Sequence, residues 1–194
     1  MKNELRPALF LDRDGTLIQE KDHLHKVADV RIFIGAAEAL RKLRDAGFLL
    51  FIITNQSGVG RGYFTMDDVN AVHRHIAEEV AKEGVRFEKY YVAPELPGQP
   101  TRGRKPLPQY LYDARDEFGL DLARSYMIGD KLIDLQCGWN AGVRKSILVR
   151  TGYGAVLEKK TGEELKEALV VEGIVGAVEW IMQDFKRGGA EARR

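Results

Sequence analysis

Cysteine is almost missing from this chain: Cys137 is the only one in 194 residues. A lone thiol cannot close an internal disulfide, and a cysteine-rich zinc site is excluded. An excess of charge is missing too, since 30 Lys and Arg face 29 Asp and Glu. That balance provides no global pull toward nucleic acid. No stretch approaches the ~20 apolar residues that a membrane span requires. The apolar run Ala8-Leu9-Phe10-Leu11 is too short for a signal-peptide core, and charge returns at Asp12. The expected location is the reducing cytoplasm, with no membrane and no nucleic acid as partner. Proline is scarce outside one segment, because five of the six lie between Pro94 and Pro108. No internal repeat is visible.

What is present fits a soluble globular chain, with 44% hydrophobic and 30% charged residues. Residues 1–185 are expected to form one domain, with 186–194 a charged, frayed tail. Short apolar runs mark strands at Ala8–Leu11, Phe48–Ile53, Tyr90–Val92, Ser125–Ile128 and Ser146–Val149. Continuous rather than alternating hydrophobicity predicts strands covered on both faces. Helical stripes lie between them: Ala36, Ala39, Leu40 and Leu43 ahead of Gly47, then Val69, Val72, His73, Ile76 and Val80 after a capping-box-like Thr65 and Asp68. Further helices are expected at Gln109–Phe118, Lys131–Ala141 and about Glu163–Phe185. The alternation predicts an α/β fold, a mostly parallel sheet with helices on both faces.

In such sheets ligands bind beyond the carboxyl ends of the strands, so polar residues just after the apolar runs are candidates for chemistry. Asp12-Arg13-Asp14-Gly15-Thr16 follows the first run directly. If extended geometry continues, Asp12 and Asp14 point to one side, and two such carboxylates need a cation or a shared proton. Magnesium, which seeks oxygen ligands, answers that need; a solvated turn is the plain alternative. The second run ends in Thr54-Asn55-Gln56-Ser57-Gly58, either an anion cradle or an ordinary loop. Arg104 and Lys105 read either as phosphate-binding cations or as a surface basic pair. Asp130 ends the fourth run, where it is placed to complete a metal site. Asp134, four residues later, is a ligand or a partner of the helix dipole, the supporting role being favoured.

The joint order of these signals resembles the haloacid dehalogenase (HAD) superfamily of aspartyl-phosphate phosphatases, over about Leu9 to Val149. Phe10-Leu11-Asp12-Arg13-Asp14-Gly15-Thr16, Thr54-Asn55-Gln56-Ser57-Gly58, Arg61-Gly62-Tyr63-Phe64-Thr65, Arg104-Lys105-Pro106 and Met127-Ile128-Gly129-Asp130-Lys131 look like its branch of heptose bisphosphate and histidinol-phosphate phosphatases. The resemblance implies a Rossmann-like HAD fold. It makes Asp12 the nucleophile and Asp14 the acid and base, with Thr54 and Lys105 completing the catalytic set. It implies Mg2+ held by Asp12, Asp130 and the main-chain carbonyl of Asp14. Substrate contacts fall to Arg13, Asn55, Gln56, Ser57, Arg104 and Lys131. The expected substrate is a sugar bisphosphate, with removal of the anomeric phosphate from a D-glycero-D-manno-heptose 1,7-bisphosphate foremost. Histidinol phosphate or another small monoester is the alternative. A receiver-like module phosphorylated on Asp12 is the reading from a different class, and trimming of nucleic acid ends is disfavoured by the charge balance.

The chain departs from that branch in one loop. Most members hold a structural zinc there with three cysteines and a histidine, whereas residues 92–103 here contain neither residue type. No zinc is expected, and the prolines are the candidate substitute for ordering the loop. Gln19–Ile34 is short for an inserted cap, so an open site on a monomer is expected, with His23 and His25 near the substrate. His73 and His75 read as structural, Trp139, Trp180, Tyr90 and Tyr91 as packing, and Cys137 as a small apolar side chain.

Overall fold

The computed structural model describes residues 5–160, 165 and 167–191. Its central strand, β1 (Ala8–Leu11), is buried at every position. Successive strand residues point to opposite faces, so a strand with no polar position must be covered on both. β2 (Leu49–Asn55) and β3 (Lys89–Ala93) lie to one side of it, β4 (Tyr126–Gly129), β5 (Lys145–Val149) and β6 (Leu169–Val171) to the other. The sheet order is β3-β2-β1-β4-β5-β6, and all of its pairings are parallel.

The helices are α1 (Ala36–Asp45), α2 (Ser57–Gly60), α3 (Met66–Ala81), α4 (Gln109–Phe118), α5 (Leu132–Ala141), α6 (Gly154–Lys160) and α7 (Ile174–Glu191). On one face, Leu9, Leu11, Leu50 and Ile52 pack with Leu40 and Leu43 of α1, Ile76 of α3 and Ile181 of α7. On the other, Phe10, Phe51 and Met127 pack with Leu111 and Ala114 of α4 and Cys137 of α5. The stripes expected for α1 and α3 are the buried ones. At the start of α3 the Thr65 hydroxyl accepts from the Asp68 N–H while the Asp68 carboxylate accepts from the Thr65 N–H, which closes the capping box.

The C-terminal third differs from expectation. Glu163–Phe185 is not one helix, because Leu169-Val170-Val171 pairs with β5 as an edge strand and α7 starts only at Ile174; residues 161–164 and 166 lie outside the described residues. A short apolar run does not distinguish strand from helix by periodicity, and here pairing with β5 decides it. α6 carries too few apolar positions to announce itself. Residues 186–191 belong to α7, while 192–194 of the expected tail lie outside the described residues.

Leu11 of β1 is in register with Ile52 of β2 and Ile128 of β4. Asp12, Thr54 and Asp130 therefore emerge together at the carboxyl rim. The connections leave β1 toward β2 but return through β4, so this rim is the topological switch point. Between β1 and α1 the chain forms only a 3-10 turn, Val27–Asp29, and isolated bridges, not a cap domain. Among the described residues no helix is long and apolar enough to cross a membrane.

Candidate active site

Gly15 turns the chain just after β1 with φ +83, and its α-carbon packs where a side chain would run into the Asp130 carboxylate. This turn sets Asp12 and Asp14 at the rim. Asp12 is buried, and the Lys105 ammonium donates to its Oδ1 at 2.5 Å. Lys105 also donates to the Ile53 carbonyl at 2.8 Å and lies 2.6 Å from Asp134 Oδ1. Burial alone would lower the lysine's pKa, but the Asp12 and Asp134 carboxylates hold it above its ordinary value. Its loop is fastened by a reciprocal amide pair: the Lys105 N–H donates to Asn55 Oδ1, and Asn55 Nδ2 donates to the Lys105 carbonyl.

One carboxylate oxygen from each of Asp12, Asp130 and Asp134 lies within 4.8 Å of the others, and all three residues are buried. Burial first, then the Asp12 carboxylate, pushes the Asp130 pKa up to about 8, against the pull of Lys131. Asp130 Oδ2 accepts the Tyr153 N–H at 2.9 Å, whereas its buried Oδ1 has no hydrogen-bond partner among the described residues and lies 3.6 Å from the Lys131 ammonium. Three buried carboxylates face two ammonium groups, Lys105 and Lys131, so negative charge remains in excess. Hard oxygen donors, crowded like charge and an orphaned carboxylate oxygen fit magnesium. Asp134 Oδ2 also accepts the Lys131 N–H at the start of α5, so this residue caps its helix and pairs with Lys105.

Asp14 lines two adjoining cavities of about 230 and 200 Å³, which also share Asn55, Ser57 and Lys131. Arg104 borders the second and donates to the Glu95 carbonyl at 2.8 Å. Lys131 lies 3.1 Å from Glu20 and over the Tyr153 ring. Gln56 is buried, its amide donating both to Thr54 Oγ1 at 2.8 Å and to Asp14 Oδ2 at 2.9 Å. The amides of Asn55 and Gln56 thus brace the site, while Ser57, Arg104 and Lys131 border open space.

Arg13, expected against substrate, is fully buried. Its Nε and Nη2 donate to the two oxygens of Asp14, each at 3.0 Å, and its Nη1 lies 3.3 Å from His73 Nε2. Of the two early histidines, His23 borders the larger cavity, while His25 stacks on Phe64. Glu20 and Tyr153 at the cavity, and His73 behind Arg13, carried no motif that marks them.

His73 also makes the fold acid-sensitive. Burial, then the Arg13 charge, pushes its pKa down to about 3 from an ordinary 6.5. Between those values the unfolded chain takes up a proton that the folded chain refuses, so stability falls as pH drops through that window. His73→Phe, with no ring nitrogen to titrate, is expected to lose less stability than wild type between pH 7 and pH 5. Urea unfolding at both pH values checks this, and equal losses would refute it.

This geometry belongs beside three relatives. D-glycero-D-manno-heptose-1,7-bisphosphate 7-phosphatase of Thermosynechococcus vestitus is 39% identical over 189 residues, covering 91% of this chain and 95% of that protein. The chain belongs to the heptose bisphosphate phosphatases, a branch of the HAD-like hydrolases. It is accordingly a phosphatase of that superfamily. D-glycero-alpha-D-manno-heptose-1,7-bisphosphate 7-phosphatase of Campylobacter jejuni is 39% identical, with 82% of this chain and 88% of that protein covered. The crystal structure of D,D-heptose 1,7-bisphosphate phosphatase from B. bronchiseptica, complexed with magnesium and phosphate, aligns with a TM-score of 0.85 at 30% identity, covering 92% of this chain and 99% of that one. A HAD-hydrolase-like family profile matches residues 103–177, the part of this phosphatase that contains Lys105 and Asp130.

Proposed function

We propose that this phosphatase is magnesium-dependent and removes the C7 phosphate of a D-glycero-D-manno-heptose 1,7-bisphosphate through an aspartyl-phosphate on Asp12. The observation that carries this reading is the buried Asp12–Lys105 pair, which lines one of the two cavities that Asp14 borders. Removal of the anomeric phosphate gives way here, because the relatives are named 7-phosphatases.

Lys105 donates to Asp12 and balances its charge as it approaches a phosphate dianion. An Asp12 oxygen bonds to phosphorus as the bond from phosphorus to the sugar oxygen breaks. Asp14 gives its proton to that oxygen, a primary alkoxide that leaves poorly without one. Asp14 then takes a proton from the water that attacks phosphorus and frees Asp12. Thr54 and the main chain at Asn55 meet the phosphoryl oxygens, and Ser57 and Lys131 face the sugar. Magnesium, held by Asp12, Asp130 and the main-chain carbonyl of Asp14, would screen the negative charges of phosphate and nucleophile from one another.

Arg104 is the candidate grip for the second phosphate. It is presented by a loop that we read as ordered without zinc: the Thr101 hydroxyl donates to the Glu95 carboxylate at 2.9 Å, and the Arg104 N–H donates to Thr101. We read residues 1–185 as one catalytic unit, working as a cytoplasmic monomer on a small metabolite.

Phosphate release from heptose bisphosphates, histidinol phosphate and oligonucleotide ends, with and without magnesium, tests the reading. Magnesium-dependent turnover highest on a heptose bisphosphate is expected, while a long-lived acyl phosphate with negligible turnover would favour a receiver-like module. In the same assay Arg104→Ala is expected to lower kcat/KM about 100-fold for the bisphosphate and far less for monophosphates, as loss of a charge-assisted contact implies. An unchanged ranking of substrates would remove Arg104 from that role.

A further inference from the structure

Arg13 has the largest side chain among those fully buried in the described residues, yet it sits one position from the reacting carboxylates. A guanidinium donates and never accepts. At His73, therefore, the contact with Arg13 Nη1 requires an unprotonated Nε2 with the ring proton on Nδ1. The ring itself is fixed, stacked on Tyr90 of β3 at 4.4 Å between centroids and 25° between planes. The remaining Arg13 donors reach both oxygens of Asp14 and the Leu24 carbonyl. Arg13 is thus clamped between a rigid acceptor inside the fold and the one carboxylate that must hold its direction toward the cavity. His73 borders neither of the cavities that Asp14 lines.

We propose that His73 is a positioning residue for catalysis, aiming Asp14 at the leaving oxygen through Arg13. The physical reason is the cost of a buried donor without a partner. Without the His73 acceptor, Arg13 Nη1 has no other acceptor among the described residues, and the guanidinium is expected to shift toward solvent and take the Asp14 carboxylate with it. Proton transfer depends on that carboxylate's direction within a fraction of an ångström, whereas attack by Asp12, held separately by Lys105, does not. The inference rests on Asp14 being the acid and base.

The test compares a substrate that needs its leaving oxygen protonated with one that does not. His73→Phe keeps the stacking on Tyr90 but removes the acceptor, and His73→Gln restores an acceptor. His73→Phe is expected to lower kcat on the heptose bisphosphate about 30-fold, a part of the full effect of a general acid, with KM changed less than about threefold. Single-turnover release of p-nitrophenolate from p-nitrophenyl phosphate, whose leaving group departs unprotonated, should fall less than about threefold. His73→Gln should recover most of the lost kcat, and Asp14→Asn should show the same split more strongly. Equal losses on both substrates, or no loss, would overturn the proposal. If His73→Phe does not fold, His73→Gln against the shorter His73→Asn decides: the split must appear in Asn and not in Gln, and its absence from Asn overturns the proposal. Should Asp14→Asn lack the split, the acid–base reading fails and this inference with it; should Asp14→Asn show it and the His73 variants not, the inference alone fails.

Discussion

Asp12→Asn is expected to reduce phosphate release by about four orders of magnitude, since an amide oxygen is too weak a nucleophile to attack phosphorus and the acyl-phosphate route is lost. The fold is expected to survive the change. Asn keeps an oxygen where Lys105 donates, and it removes one of three crowded carboxylates. In protein stripped of divalent ions, thermal unfolding of this variant should begin no earlier than in wild type, because like-charge repulsion at the rim is relieved. Phosphate release and a thermal melt, run side by side with a chelator, read both effects. Turnover within tenfold of wild type would show that another group is the nucleophile.

Lys105→Met carries the second large effect, and it acts on stability as well as on rate. The ammonium is buried, with side-chain exposure of 1%, and is surrounded by Asp12, Asp134 and the Ile53 carbonyl. Two opposite charges at about 4 Å attract by about 4 kcal/mol even at an effective dielectric of about 20. Removing one partner of a buried pair leaves the other uncompensated, at about 3–5 kcal/mol. Urea unfolding should show a loss of that size. Phosphate release should fall about 1000-fold, as expected when a cation placed for the transition state is deleted. Adding Asp134→Asn to Lys105→Met should restore part of the stability but little of the rate, because only Asp12 reacts while both carboxylates suffer from the missing charge. A double variant no more stable than Lys105→Met would argue against the shared ion pair.

Much of this site is visible in the linear chain because of where it lies relative to the apolar runs. A buried parallel strand needs side chains apolar on both faces, so Leu11, Ile53 and Ile128 announce themselves. The polar residue that breaks each run stands at the rim by necessity. Asp12, Thr54 and Asp130 are legible for that reason, and Asp14 through the glycine turn that follows it. The stripes of α1 and α3 are equally plain, because a helix packed on one side repeats its apolar residues at a fixed interval.

The sheet's interior, its two layers of helices and the carboxylates and cations that follow the strands can be read from the linear chain. Those depend on local periodicity and on the order of strand ends, both of which are properties of the chain read in a line. Folding in three dimensions was needed to bring Arg13 onto Asp14 and His73, to set the Asn55 and Gln56 amides as braces of the site, and to pair Leu169–Val171 with β5 instead of extending a helix. Each of these is a choice among partners distant in sequence. A donor, an amide or a short apolar run accepts several partners equally well on paper, and packing leaves one within reach.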